Sequence, residues 1–142
     1  MTPSVGEIQA VHLFRLPTGS DLYEEITSYV TERNIRSASL TFLGAVRKAS
    51  LRYFDQDAKQ YLDFTLDEHL EILSGVGNIS VLEDQPFLHA HASLGDKAGR
   101  AYGGHLNVGT EVFVTEVTLW ELTGDPPVRE FDETCGLSLW PV

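Results

Sequence analysis

The chain has 142 residues, 42% hydrophobic and 22% charged, enough for one domain with its own core and no folding staple. Its formal net charge is -11, from 21 acidic and 10 basic side chains, which disfavours nucleic acid and anionic membrane as partners. A single cysteine, Cys135, excludes an intrachain disulfide, and no apolar run approaches membrane-spanning length.

The opening Met1 to Glu7 lacks the basic-then-apolar pattern of a signal peptide, so a cytoplasmic location is expected. Glu7 to Leu16 predicts a strand with Ile8, Ala10, Phe14 and Leu16 on one face and His12 as the polar member of that set. After the turn Pro17-Thr18-Gly19-Ser20, Asp21 to Arg33 predicts a helix. Leu22, Ile26, Tyr29 and Val30 form its apolar stripe. Ser20 or Asp21 caps it, and with Asp21 as the cap Glu24 completes a capping box.

From Ser37 to Phe54 the pattern reads as two strands broken near Gly44. Lys48 and Arg52 share one strand face and Arg47 points the other way, which reads as a solvated face rather than a phosphate-binding stripe. Tyr61 to Leu66 is a short strand, and Glu68 to Leu73 fits either helix or strand. Gly75 and Gly77 interrupt the pattern, which resumes as strand from Ile79 to Leu82. Phe87 to Leu94 is the next strand, Gly95 to Gly104 a glycine-rich loop, and Val112 to Leu122 a cleanly alternating strand. The proline-containing acidic tail ends in Leu137, Leu139 and Trp140, which are expected to dock on this domain or on a neighbour. The expectation is a single α+β domain over residues 1–142, with its core at about 7–122 and a tail at 123–142. It has a mainly antiparallel sheet of about seven strands and one main helix.

Three of the five histidines fall between positions 89 and 105. His89 and His91, two apart on a strand, project side by side, while Leu88, Ala90 and Ala92 face the other way. Gly103 and Gly104 permit a tight turn and a close backbone approach that return His105 to the same point. Three neutral imidazoles with an open position are the donor set of a catalytic zinc site. The competing reading is a pair of hydrogen-bonded polar residues on a half-buried strand. Glu71, Asp96, Thr115 and Glu116 are candidate supporting groups, and Arg100 is a candidate clamp for an anion. His12, His69 and Cys135 are not expected to ligate.

Several segments together carry a family resemblance. They are Pro17 to Asp21, Phe42-Leu43-Gly44-Ala45-Val46, Glu71-Ile72-Leu73-Ser74 and Gly77-Asn78-Ile79. Pro86 to His91, Gly103-Gly104-His105-Leu106, Gly109-Thr110 and Glu116 follow in order. This sequence resembles the plant and prokaryote conserved (PPC) domain from about Val11 to Leu122. The resemblance implies a compact α+β fold assembled as a homotrimer, and prokaryotic members that carry the three histidines, some with a metal bound. Plant members join the domain to AT-hooks and bind DNA. This chain has no Arg-Gly-Arg-Pro core and departs from them there. The run His-x-His followed by Gly-Gly-His is also similar to the zinc site of acetolactate decarboxylase, a comparison that points to Glu116 and Arg100 as catalytic groups.

These readings lead to a divalent metal, zinc first, held by His89, His91 and His105. The function expected is that of a metal-dependent enzyme on a small anionic or carbonyl metabolite. The alternative is a non-enzymatic trimeric module for protein interaction or ligand sensing, with a DNA-binding regulator third.

Overall fold

The computed structural model describes residues 3–141. Strand β1 spans Ile8–Arg15 and helix α1 Leu22–Glu32; β2 spans Ala38–Asp55, β3 Gln60–Leu66, β4 Leu70–Leu82 and β5 Gln85–Gly95. β6 spans Ala101–Leu106, β7 Glu111–Leu122, β8 Glu130–Asp132 and β9 Leu137–Leu139.

Helix α1 begins where the sequence places its cap. Asp21 accepts the Glu24 N–H at 2.9 Å, which satisfies one of the orphan donors of the first turn. At the other end Asn34 takes the left-handed conformation, φ 51°, and the Ile35 N–H reaches the Val30 carbonyl at 2.9 Å. Leu22, Ile26 and Val30 are the buried residues of the helix, and they cover one face of the sheet.

The sheet runs β1-β7-β2-β4-β5-β6, with β3 beside β2 and with β6 also paired to β2. Every one of these pairings is antiparallel. β2 is one continuous strand of 18 residues rather than two. Its ladders shift register near Gly44, whose φ of 133° and close approach to the Val114 carbonyl leave no room for a side chain. The bend lets the second half of β2 meet β3 and β6, which closes β2, β4, β5 and β6 into a small barrel.

Gly75 and Gly77 lie inside β4 instead of interrupting it. The Phe42 ring occupies the space over Gly75, and Gly77 sits under the β5 backbone at His89 and Ala90. The inner face collects Leu40, Phe42, Leu88, Ala90, Val117 and Leu119 into the core against α1. Thr115 is fully buried at that level and its Oγ1 has no hydrogen-bond partner. A buried hydroxyl without a partner is destabilising, so Thr115→Val is expected to raise stability by about 1 kcal/mol in urea unfolding. A loss of stability of similar size would contradict this.

The tail docks on its own domain. Pro127 and Arg129 bond to the backbone of Val81 at 2.9 and 2.7 Å, and β8 and β9 form a hairpin beyond them. Among the described residues no helix is long and apolar enough to cross a membrane.

Candidate metal centre

Antiparallel register puts directly opposed residues on the same face, so the ladders define rows across the sheet. One row reads Leu13, Thr118, Thr41, Val76, His91, His105. The adjacent row reads Val11, Trp120, Ser39, Asn78, His89. The histidines therefore stand on the face away from α1, and the pairing of His91 with His105 follows from the tight β5–β6 ladder.

The three rings meet. Centroids are 5.2 Å apart for His89 and His91, 5.0 Å for His89 and His105, and 5.3 Å for His91 and His105. One nitrogen from each lies within 4.8 Å of the others. Two ligands of one zinc stand at most about 4 Å apart, so small ring rotations bring all three into bonding range.

Burial pulls the His89 pKa down to about 4, helped by the charge of Arg129 and by His91. His105 is also lowered to about 4, first by burial and then by His89, His91, Arg52 and Arg129. Both rings are thus neutral at pH 7, as metal ligation requires. These depressed values have a consequence for metal-free protein. Between pH about 6.5 and about 4 the unfolded chain binds protons that the folded chain refuses. Stability is therefore expected to fall as pH drops through that window and to level off below it. Urea midpoints measured from pH 7 to 4 check this, and His89→Ala should show a shallower slope than the parent.

The site opens into a cavity of about 750 Å³. Tyr61 packs against His105 with ring centroids 5.5 Å apart, and Arg52 lies over Tyr61 at 4.7 Å while pairing with Asp63 at 3.0 Å. Arg52 thus faces the cavity, not a solvated strand surface. Arg129 borders it from the tail. Its Nη2 is 3.4 Å from His89 Nδ1 and its Nε donates to Ser80 Oγ at 2.7 Å. No sequence signal marks Arg129, since its place depends on where an aperiodic tail folds back.

Two candidates lie elsewhere in the chain. Glu116 is exposed on β7, opposite Arg15 and Leu43, three strands or about 14 Å from β5. Arg100 belongs to the β5–β6 turn, beyond the Gly95–Ala101 pair that itself lies four ladder positions or about 13 Å from the His91–His105 pair. It is held there by Asp96, which accepts Arg100 Nε at 2.7 Å and the N–H groups of Ala98 and Arg100 at 2.8 and 2.9 Å. Burial pushes the Asp96 carboxyl up, but the bonds to Arg100 and Ala98 outweigh it and bring its pKa down to about 2. The Arg100 guanidinium, 69% exposed, is used in locking this turn. Thr115 lies in the core and Glu71 sits at the Gly95 end of β4, so neither supports the histidines. His12 bonds Tyr29 at 3.0 Å and Glu121 at 3.1 Å, far from the cluster along the sheet.

The sequence profile of the Plants and Prokaryotes Conserved (PCC) domain matches residues 3–123. A solved structure described as a metal-containing protein from Archaeoglobus fulgidus is 42% identical, with 100% of both chains covered and a TM-score of 0.94. A plant- and prokaryote-conserved protein from Pyrococcus horikoshii is 34% identical over 100% of this chain and 98% of its own, also with a TM-score of 0.94. The bifunctional protein GlmU of Synechococcus sp. (strain JA-3-3Ab) is 31% identical over 74% of this chain, which spans only 16% of that protein's length. Acetolactate decarboxylase from Bacillus subtilis shares the fold at 14% identity and a TM-score of 0.56, covering 89% of this chain and 56% of its own.

Proposed function

This chain belongs to the Plants and Prokaryotes Conserved domain family, and from its histidine geometry we propose that it is a metal-dependent protein acting on a small anionic or carbonyl-containing metabolite. The observation that carries this reading is the convergence of His89, His91 and His105 within 4.8 Å at the wall of a cavity of metabolite size. The donor set is three neutral imidazoles, which suits zinc and neighbouring transition ions and not magnesium or calcium. A relative at 42% identity is described as metal-containing, which supports a metal at this site.

When bound, such an ion supplies a Lewis acid and lowers the pKa of a coordinated water. The residues do the rest. The ladder of β5 and β6 holds His91 opposite His105 in fixed register. Arg129 sets the position of the His89 ring, and Tyr61 walls off His105 from the solvent side. A cytoplasmic setting fits the single free thiol, Cys135.

The assembly proposed is a homotrimer. Val11, Leu13, Leu43 and Val76 are exposed on the face that carries the histidines, with Leu13 76% exposed. Exposed apolar side chains on one sheet face, set among Thr118, Thr41 and Ser39, favour burial against copies of the same chain. Glu116 shares the face, so its route to a histidine site is from a neighbouring subunit. Light scattering should give about three times the 15.8 kDa chain mass, and Leu13→Glu should lower it.

The catalytic part is tested with untagged, metal-loaded protein and a panel of 2-keto and 2-hydroxy carboxylates, followed by NMR. Turnover of at least one, abolished in His91→Ala with unchanged circular dichroism, is expected. Full metal occupancy with no turnover on the panel would instead favour a binding module.

A further inference from the structure

The chain carries 21 acidic residues, yet none is among the described residues that line the histidine cavity. Two arginines, Arg52 and Arg129, are there instead. Arg52 has a carboxylate partner in Asp63. Among the described residues Arg129 has none: its bonds go to Ser80 Oγ, the Ser138 carbonyl, Asn78 Oδ1 and His89 Nδ1, all neutral groups.

Arg129 is also only 8% exposed. Its guanidinium lies between the rings of Phe87 and Trp140, 5.1 and 5.0 Å from their centroids. A buried cation without an anion is costly, and structures that keep one generally give it a counter-charge. Burial accordingly lowers the Arg129 pKa, whereas the hydrogen bond to Asp96 raises that of Arg100. An ion held by the three neutral histidines would add positive charge beside it and deepen the deficit.

We propose that Arg129 is the anion receptor of this cavity, and that the site takes a small monocarboxylate with a flat apolar body, enclosed by the C-terminal hairpin. The charge of the ligand answers the guanidinium. Its body fits the apolar wall of Tyr23, Phe87, Phe131, Leu137 and Leu139. The receptor and the outer wall come from residues beyond the 3–123 match, so this part of the site belongs to the tail and not to the matched domain. The assignment deepens the functional reading above and rests on it for the role of the site, but not for the source of the anion affinity.

The test is titration of benzoate and of its neutral isostere benzamide into the full chain, both metal-loaded and chelator-stripped, by calorimetry. A charge-assisted contact to a desolvated guanidinium should make benzoate bind at least about 10-fold tighter than benzamide, in the stripped protein as well. Arg129→Gln should bring the two within about 2-fold while leaving circular dichroism unchanged. Equal affinities in the stripped parent, or a benzoate preference that survives Arg129→Gln, would overturn the assignment. Should Arg129→Gln not fold, the stripped parent together with Arg129→Lys decides. Lysine keeps the charge but cannot reproduce the bonds to Ser80, Ser138 and Asn78 that place it, and is expected to retain a weakened preference. A parent that never takes up metal yet prefers benzoate removes the metal reading and leaves Arg129 in place. Metal uptake with no preference does the reverse.

Discussion

Zinc added to chelator-stripped protein is expected to raise its melting temperature by about 5–10 °C when free metal stands near 100 times its dissociation constant. That ratio adds about 2.7 kcal/mol to the folded state, provided the unfolded chain does not bind. A chain of this length gains roughly 2–4 °C per kcal/mol. The effect is specific because the three imidazoles converge only in the folded chain, where β6 lies against both β5 and the far half of β2. His105→Ala removes the donor contributed by β6 and should abolish the shift, leaving the metal-free melting temperature within a few degrees of the parent. Differential scanning calorimetry on both proteins decides the matter. A shift of equal size in the variant would place the metal elsewhere.

A second large effect concerns the support of the site. Leu88 is fully buried on the inner face of β5, opposite Ile79 and beside His89 in sequence. Its truncation to alanine leaves a void in a packed core and should cost about 2–5 kcal/mol. The Tyr23 hydroxyl donates to its carbonyl at 3.4 Å, so the same strand is also tied to α1. Urea unfolding gives the loss directly. Metal binding should persist in whatever fraction of Leu88→Ala stays folded, because His89 and His91 face the other side. Loss of metal from a natively folded Leu88→Ala would show that the ligand geometry depends on core packing more than the register implies.

Much of this was legible because it rests on local periodicity. β1, α1 and β7 show period-2 or period-3.6 patterns, and the His89–His91 spacing announces a shared face. The less legible parts depend on contacts distant in sequence. Gly44 reads as a break, but in three dimensions it is the bend that allows one long strand to serve both halves of the sheet. Gly75 looks like an interruption until the Phe42 ring is placed over it. Gly103 and Gly104 disguise β6 as a loop because glycine is depleted in strands. At Gly104 a Cβ would stand 3.1 Å from the Arg52 carbonyl, a tight contact that glycine avoids. Arg52 reads as solvated from its own strand alone, but that strand's second half curls toward His105, a pairing across 53 residues of sequence. Glu116 stands out on an apolar strand face and Arg100 lies close to His105 in sequence, but neither signal carries the lateral distance to the histidines across or along a sheet. Arg129 lay in a segment with no pattern to read.

The measurement that bears most directly on the three-histidine centre is elemental analysis of protein purified without a histidine tag, repeated on His89→Ala. One transition-metal ion per chain in the parent and none in the natively folded variant is the predicted result. Equal metal in the two proteins would contradict it.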